Sequence, residues 1–140
     1  MPAAVDVIDA YVEALPGERR RIADAEWGLT LAAEQGGGWP LQVGLRVADG
    51  LLTARALALT DAEHVEPWML LWWNRSTRMV RFGATRSREV WVHGDLPTAG
   101  LDEVGLDRLL GLVVEGAIAV RDFQRAKRHP PSEGGDWLSL

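Results

Sequence analysis

The chain contains no cysteine, which removes a disulfide frame, a thiol nucleophile and a thiolate metal site. Lysine is nearly absent too. Lys127 stands alone against fourteen arginines, and with abundant Ala, Gly and Leu this composition fits a GC-rich bacterial genome. No apolar run approaches the roughly 20 residues a helix needs to cross a bilayer. The longest, LLGLVVEGAIAV, is interrupted by Glu115, so no membrane contact is expected. The opening MPAAVDVIDAYVEAL has acids where a secretory leader carries basic residues, and the cytoplasm is the expected compartment. Tyrosine and phenylalanine are scarce, at one and two residues, yet there are seven tryptophans.

A chain of 140 residues, 47% hydrophobic and 25% charged, suits one globular unit with a single core. Residues 1–128 read as that unit. Residues 129–140 read as a flexible tail, because Pro130-Pro131 cannot continue a helix; Trp137 and Leu138 in the tail could still dock on a neighbour. The net charge of −5 is unevenly placed: residues 67–88 carry five arginines and no acid. The acidic balance argues against a dedicated nucleic-acid binder and steers basic partners toward the surface.

Val5, Ile8, Val12 and Leu15 recur at the spacing of one helical face, and Pro16-Gly17 stops that helix. Arg19-Arg20-Arg21, offset by Glu18 and Asp24, reads as a solvated linker. From Ile22 the period becomes two, with Trp27, Leu29 and Leu31 on one face of a strand ending at Gly36-Gly37-Gly38. This triplet lacks the GK[ST] ending of a phosphate loop, so it reads as a hairpin turn. Leu41, Val43, Leu45 and Val47 then alternate with Gln42, Gly44 and Arg46 as a half-buried strand. Asp49-Gly50 is a two-residue hairpin signal, and it sets Val47 opposite Leu52, Leu45 opposite Ala54 and Val43 opposite Ala56. Thr60-Asp61-Ala62-Glu63 has the form of a capping box, and Pro67 suits a first helical turn.

The densest stretch runs from Pro67 to Pro97, with four of the seven tryptophans and five arginines. Trp68, Leu71, Trp72 and Arg75 fall on one face of a short helix. Val80, Phe82 and Ala84 then pair across a turn with Val90 and Val92, and Arg81 is expected over the Trp91 ring. A long final helix spans about Asp102 to Lys127, its buried stripe being Leu106, Leu109, Leu110, Val113, Ala117, Val120 and Phe123. Gly105, Gly111 and Gly116 within it are expected to let the sheet approach closely.

No residue set spells out a reaction. His64, His93 and His129 lack metal-ligand spacing, the serines lie in no nucleophile-elbow motif, and the Asp102-Glu103 pair complements a helix dipole. His93 and Asp95 share a strand face, an arrangement that is more often a surface hydrogen bond than a catalytic pair. No catalytic residue, metal or cofactor is expected. The arginines at 75, 78, 81, 86 and 88 form the basic patch with interleaved aromatics. Single-stranded nucleic acid stacking on Trp91 or Trp73 is therefore the alternative reading, although alternate arginines on a hairpin usually form its solvated face.

The order helix, three strands, short helix, two strands, long helix carries LLWWNR, VRFG, EVWVHGDLP and LDRLLGLVVEGA. With these motifs, residues 5–125 resemble the YbjN family, relatives of type III secretion chaperones. The resemblance implies an α+β fold (α-β-β-β-α-β-β-α) with a single antiparallel sheet of about five strands and helices packed on it. It also implies a homodimer that binds an extended segment of a partner protein, without catalysis. In the chaperones the second helix and neighbouring strands build the dimer contact, which carries over here to Trp68, Leu71, Trp72 and Trp73. Asn74 and Trp91 join them as candidate dimer or partner contacts. The residues alone agree, since a small unit cannot hide seven tryptophans and large exposed apolar patches mark interaction sites. Open sheet edges also accept extended peptides. An acidic adaptor suits a basic client, such as a nucleic-acid-binding protein.

Overall fold

The computed structural model describes residues 3–128; the tail 129–140, with Trp137 and Leu138, lies outside the described residues. The elements are α1 (Ala4–Glu13), β1 (Glu18–Ala23), β2 (Glu26–Leu31), β3 (Leu41–Ala48), β4 (Leu51–Leu59), α2 (Pro67–Trp73), β5 (Val80–Ala84), β6 (Val90–Pro97) and α3 (Glu103–Arg128). The strands form one antiparallel sheet in the order β1-β2-β3-β4-β6-β5. The architecture is α+β, as the resemblance implied. No described helix is long and apolar enough to cross a membrane.

Six strands rather than five are present, and the extra one is the arginine run expected as a linker. Arg19, Arg20 and Arg21 pair with Leu29, Gly28 and Trp27. Every residue of β1 is exposed, so it has no apolar half to betray a period of two. An edge strand of charged residues also resists pairing with a stray chain.

Asp49 and Gly50 take φ of 55° and 75°, the left-handed pair of a tight hairpin. The register follows as expected, Val43 on Ala56, Leu45 on Ala54 and Val47 on Leu52. Ala54, Ala56 and Ala58 are buried, and α3 lies over this strip with Leu106, Leu109, Val113, Ala117 and Val120 fully covered. Buried residues of all three helices join the inward residues of the sheet in one cluster. The helices therefore share one sheet face, and among the described residues the other face carries no helix.

Three local expectations change. The Thr60–Glu63 segment caps nothing: α2 begins at Pro67, and its N-cap Glu66 makes no side-chain cap bond. Ala62 is instead tied to the β5–β6 turn, its N–H donating to the Arg88 carbonyl (2.9 Å) and its carbonyl accepting from the Arg88 guanidinium (3.1 Å). Of the three helix glycines only Gly116 serves close packing against the sheet, since a Cβ there would sit 3.2 Å from Val92 Cγ1. The tighter approach is at Gly94, where a Cβ would come within 2.6 Å of Leu109 Cδ1. Arg81 does not cover Trp91. It pairs with Asp95 at 2.9 Å, and Arg55 lies over the ring at 5.7 Å, because Arg81 has a carboxylate within reach on the same face.

Candidate functional site

Helix α2 is held by one side and leaves the other bare. Leu70 is buried, and Trp73 packs on Phe82 and Phe123 with ring centroids 5.6 Å and 5.3 Å away. Asn74 ends the helix and docks on β5: its amide donates to the Phe82 carbonyl (3.1 Å), and its oxygen accepts from the Phe82 N–H (2.8 Å). Side chains three and four apart share a helical stripe, so Trp68, Leu71 and Trp72 line up on the opposite side. They are 80%, 61% and 60% exposed. A seven-residue helix that offers two indoles and a leucine to water has apolar surface to spare.

Beside this stripe, α2, β5 and α3 enclose an open groove of about 1050 Å³, walled by Met69, Trp72, Trp73, Phe82, Leu112 and Phe123. The apolar surface of α2 thus continues into a concave floor.

Trp91 stands apart from α2, half-buried on the helix-free face of the sheet. Its indole N–H donates to Glu89 (3.2 Å). On the same face Asp95 accepts from Thr53 (2.8 Å) and from Arg81 (2.9 Å). These contacts hold its carboxyl below the usual range, with the Thr53 bond the largest cause. His93 is pushed below the ordinary imidazole value by burial first, then by Arg81 and Arg55. Asp95 is thus occupied by a hydroxyl and a guanidinium donor.

The five arginines of the basic patch are spread over the residues after α2, strand β5 and the β5–β6 turn. Arg81 is held by Asp95 and Arg88 by the Ala62 carbonyl. Arg75 and Arg78 follow α2, and Arg86 sits in the β5–β6 turn, all exposed.

Sequence reasoning missed Arg121, which is 2% exposed on α3. Its guanidinium donates to the carbonyls of Ala58 (2.8 Å), Trp39 (2.8 Å), Pro40 (3.2 Å), Leu57 (3.4 Å) and Gly36, and it stacks 4.6 Å over the Trp39 ring. Burial lowers its pKa to about 10, which leaves it charged at neutral pH. Arg125 adds a bond to the Gly37 carbonyl. The glycine-rich turn expected between β2 and β3 is thus clasped by α3.

The YbjN family model, described as "Putative bacterial sensory transduction regulator", matches residues 5–123. No curated protein matches the sequence. Among solved structures, the chain is similar to one in the HopA1–SchA chaperone–effector complex. That match has 14% identity and a TM-score of 0.66, and it covers 84% of this chain and 91% of that one. It is also similar to one in the complex of the Yersinia pestis type III secretion chaperone SycH with a fragment of YscM2 (12%, 0.61, 84% and 98%). YbjN from E. coli is a further neighbour (13%, 0.52, 89% and 92%). At these identities the likeness speaks for the fold.

Proposed function

The chain belongs to the YbjN family, and from that premise we propose that it is a non-enzymatic, chaperone-like adaptor that dimerises and binds a partner protein through apolar helix and sheet surfaces. The observation that carries this reading is the bare stripe of α2, where Trp68, Leu71 and Trp72 face water. Covering it recovers the hydrophobic stabilisation the isolated chain leaves unused, about 25 cal/mol per Å² of apolar area. A second copy suits the stripe because an isologous contact covers the same apolar patch on both copies at once. The open groove beside it leaves room for a client segment. The acidic net charge supports long-range steering of basic clients, and the cytoplasm is the setting that fits. Nucleic-acid binding along the arginines has less support, since Arg81 and Arg88 are already engaged.

A photo-crosslinking residue at position 71 tests the reading. Irradiation of the purified full chain is expected to yield a covalent dimer, and irradiation in lysate a further adduct with a second polypeptide. A chain that crosslinks to nothing in either setting would overturn it.

A further inference from the structure

One register line crosses the whole sheet on its helix-free face. Arg20 pairs with Gly28, Gly28 with Gly44, Gly44 with Arg55, Arg55 with His93, and His93 with Arg81. Neighbouring strands lie about 4.8 Å apart, so the backbones of Arg20 and Arg55 stand roughly 14 Å apart across Gly28 and Gly44; the Arg20 and Ile22 side chains lean over Gly28, and Gly44 stays the more open of the two. The gap is a cleft of about 180 Å³, bounded by Arg20, Ile22, Gln42, Arg55, Leu57 and Trp91. An apolar cavity of about 150 Å³ accommodates benzene, so this cleft has room for one large apolar side chain. On this face Glu26 is committed to Arg46 and Asp95 to Thr53 and Arg81, while Glu18, two residues before Arg20 on the same strand face, forms no ion pair among the described residues. Among the described residues, neither Arg20 nor Arg55 forms an ion pair.

We propose that this face is a docking trough for an extended acidic segment of a partner protein, with one bulky apolar side chain seated beside Gly44 and flanking carboxylates on Arg20 and Arg55. The inference rests on the adaptor reading and assigns one locally acidic segment to a client that is basic overall. A guanidinium takes a carboxylate through paired hydrogen bonds, and an apolar floor between two such cations calls for an acid–apolar–acid pattern. A second copy of this chain does not fit, because a two-fold contact would set the arginine row against itself. Nucleic acid fits less well, because the Trp91 ring that would receive a base already lies under Arg55.

The test is fluorescence anisotropy of the full chain with a labelled peptide carrying one Phe between alternating Glu residues. The comparison probes are its Lys-for-Glu and Ala-for-Phe versions and a single-stranded DNA oligonucleotide. The Phe–Glu peptide is expected to bind in a salt-sensitive manner and the others poorly. Arg20→Gln with Arg55→Gln is expected to weaken it about tenfold or more. Gly44→Val is expected to weaken it comparably with every charge intact. A Cβ at Gly44 meets nothing closer than Arg55 Cγ at 3.9 Å, so this variant fits its strand while filling the trough. Tighter binding of the Lys peptide or the oligonucleotide, or a Gly44→Val variant that binds as before, would overturn the proposal. A chain that crosslinks through position 71 but ignores the Phe–Glu peptide would sink the trough and leave the adaptor reading standing.

Discussion

Replacing Arg121 by methionine keeps most of the apolar stem and removes the buried guanidinium that joins α3 to the sheet and to the turn before β3. The β4–β6 pairing shifts register between Leu57 and Leu59, which leaves Ala58 without a partner strand residue. Arg121 takes the Ala58 carbonyl at 2.8 Å. In the methionine variant the exposed carbonyls of Trp39 and Pro40 recover water, whereas those of Ala58 and Gly36 stay buried. A buried acceptor left unsatisfied costs about 1–3 kcal/mol, so two of them give a loss of roughly 3–4 kcal/mol. Removing the desolvated cation offsets part of the broken charge-assisted bonds, which keeps the figure from rising further. Against a total stability of about 5–15 kcal/mol the loss is large, and the melting temperature should fall by on the order of 10 °C. Arg121→Lys keeps the charge without the planar fork and should fall between the two. Urea unfolding followed by circular dichroism measures the loss, and hydrogen exchange in residues 32–40 should rise before global unfolding. A methionine variant within about 1 kcal/mol of the parent would refute the clasp.

Asn74→Ala should cost about 1–3 kcal/mol through the two lost Phe82 bonds, read by chemical denaturation, while leaving self-association of the folded fraction unchanged; weakened association at full foldedness would return Asn74 to the interface. Gly94→Ala should cost about 1–3 kcal/mol by overpacking against Leu109, and a neutral urea midpoint would contradict that fit. The lowered pKa of His93, faced by Arg81, Arg55 and Asp95, makes the neutral imidazole the form the fold prefers. Its contribution is full above the ordinary value of 6.5 and is lost as pH falls through the lowered folded value. Denaturation midpoints should therefore drop between neutral pH and about pH 5, and His93→Gln should flatten that drop. An identical slope in the variant would reject the assignment.

Where one side of an element is apolar and the other polar, the sequence was readable. Alternation along β3, the Asp49-Gly50 turn and the stripe of α3 led to the right register and, Val47 and Phe123 apart (both half-buried), to the right buried residues. Where the deciding contact is long-range, it was not. Arg121 reads as one more charge near a helix end until the bulge at Ala58 and the turn at Gly36 meet it. The strand Glu18–Ala23 has charged side chains on both faces and is specified by the neighbour it pairs with. The exposure of Trp68, Leu71 and Trp72 follows from their helical spacing, whereas the anchoring of Trp73 and Asn74 depends on where β5 runs. Arg20, Gly28, Gly44 and Arg55 are spread over four strands, and pairing register alone brings them into line.

Sedimentation velocity of the full chain over a dilution series tests the central claim, that a second polypeptide covers the bare stripe of α2. A particle of twice the chain mass is expected at micromolar concentration. Association should weaken for Trp72→Ala, and Trp68→Arg combined with Leu71→Arg should give a folded monomer. A single-chain mass at every concentration, or a dimer indifferent to all three substitutions, would contradict it.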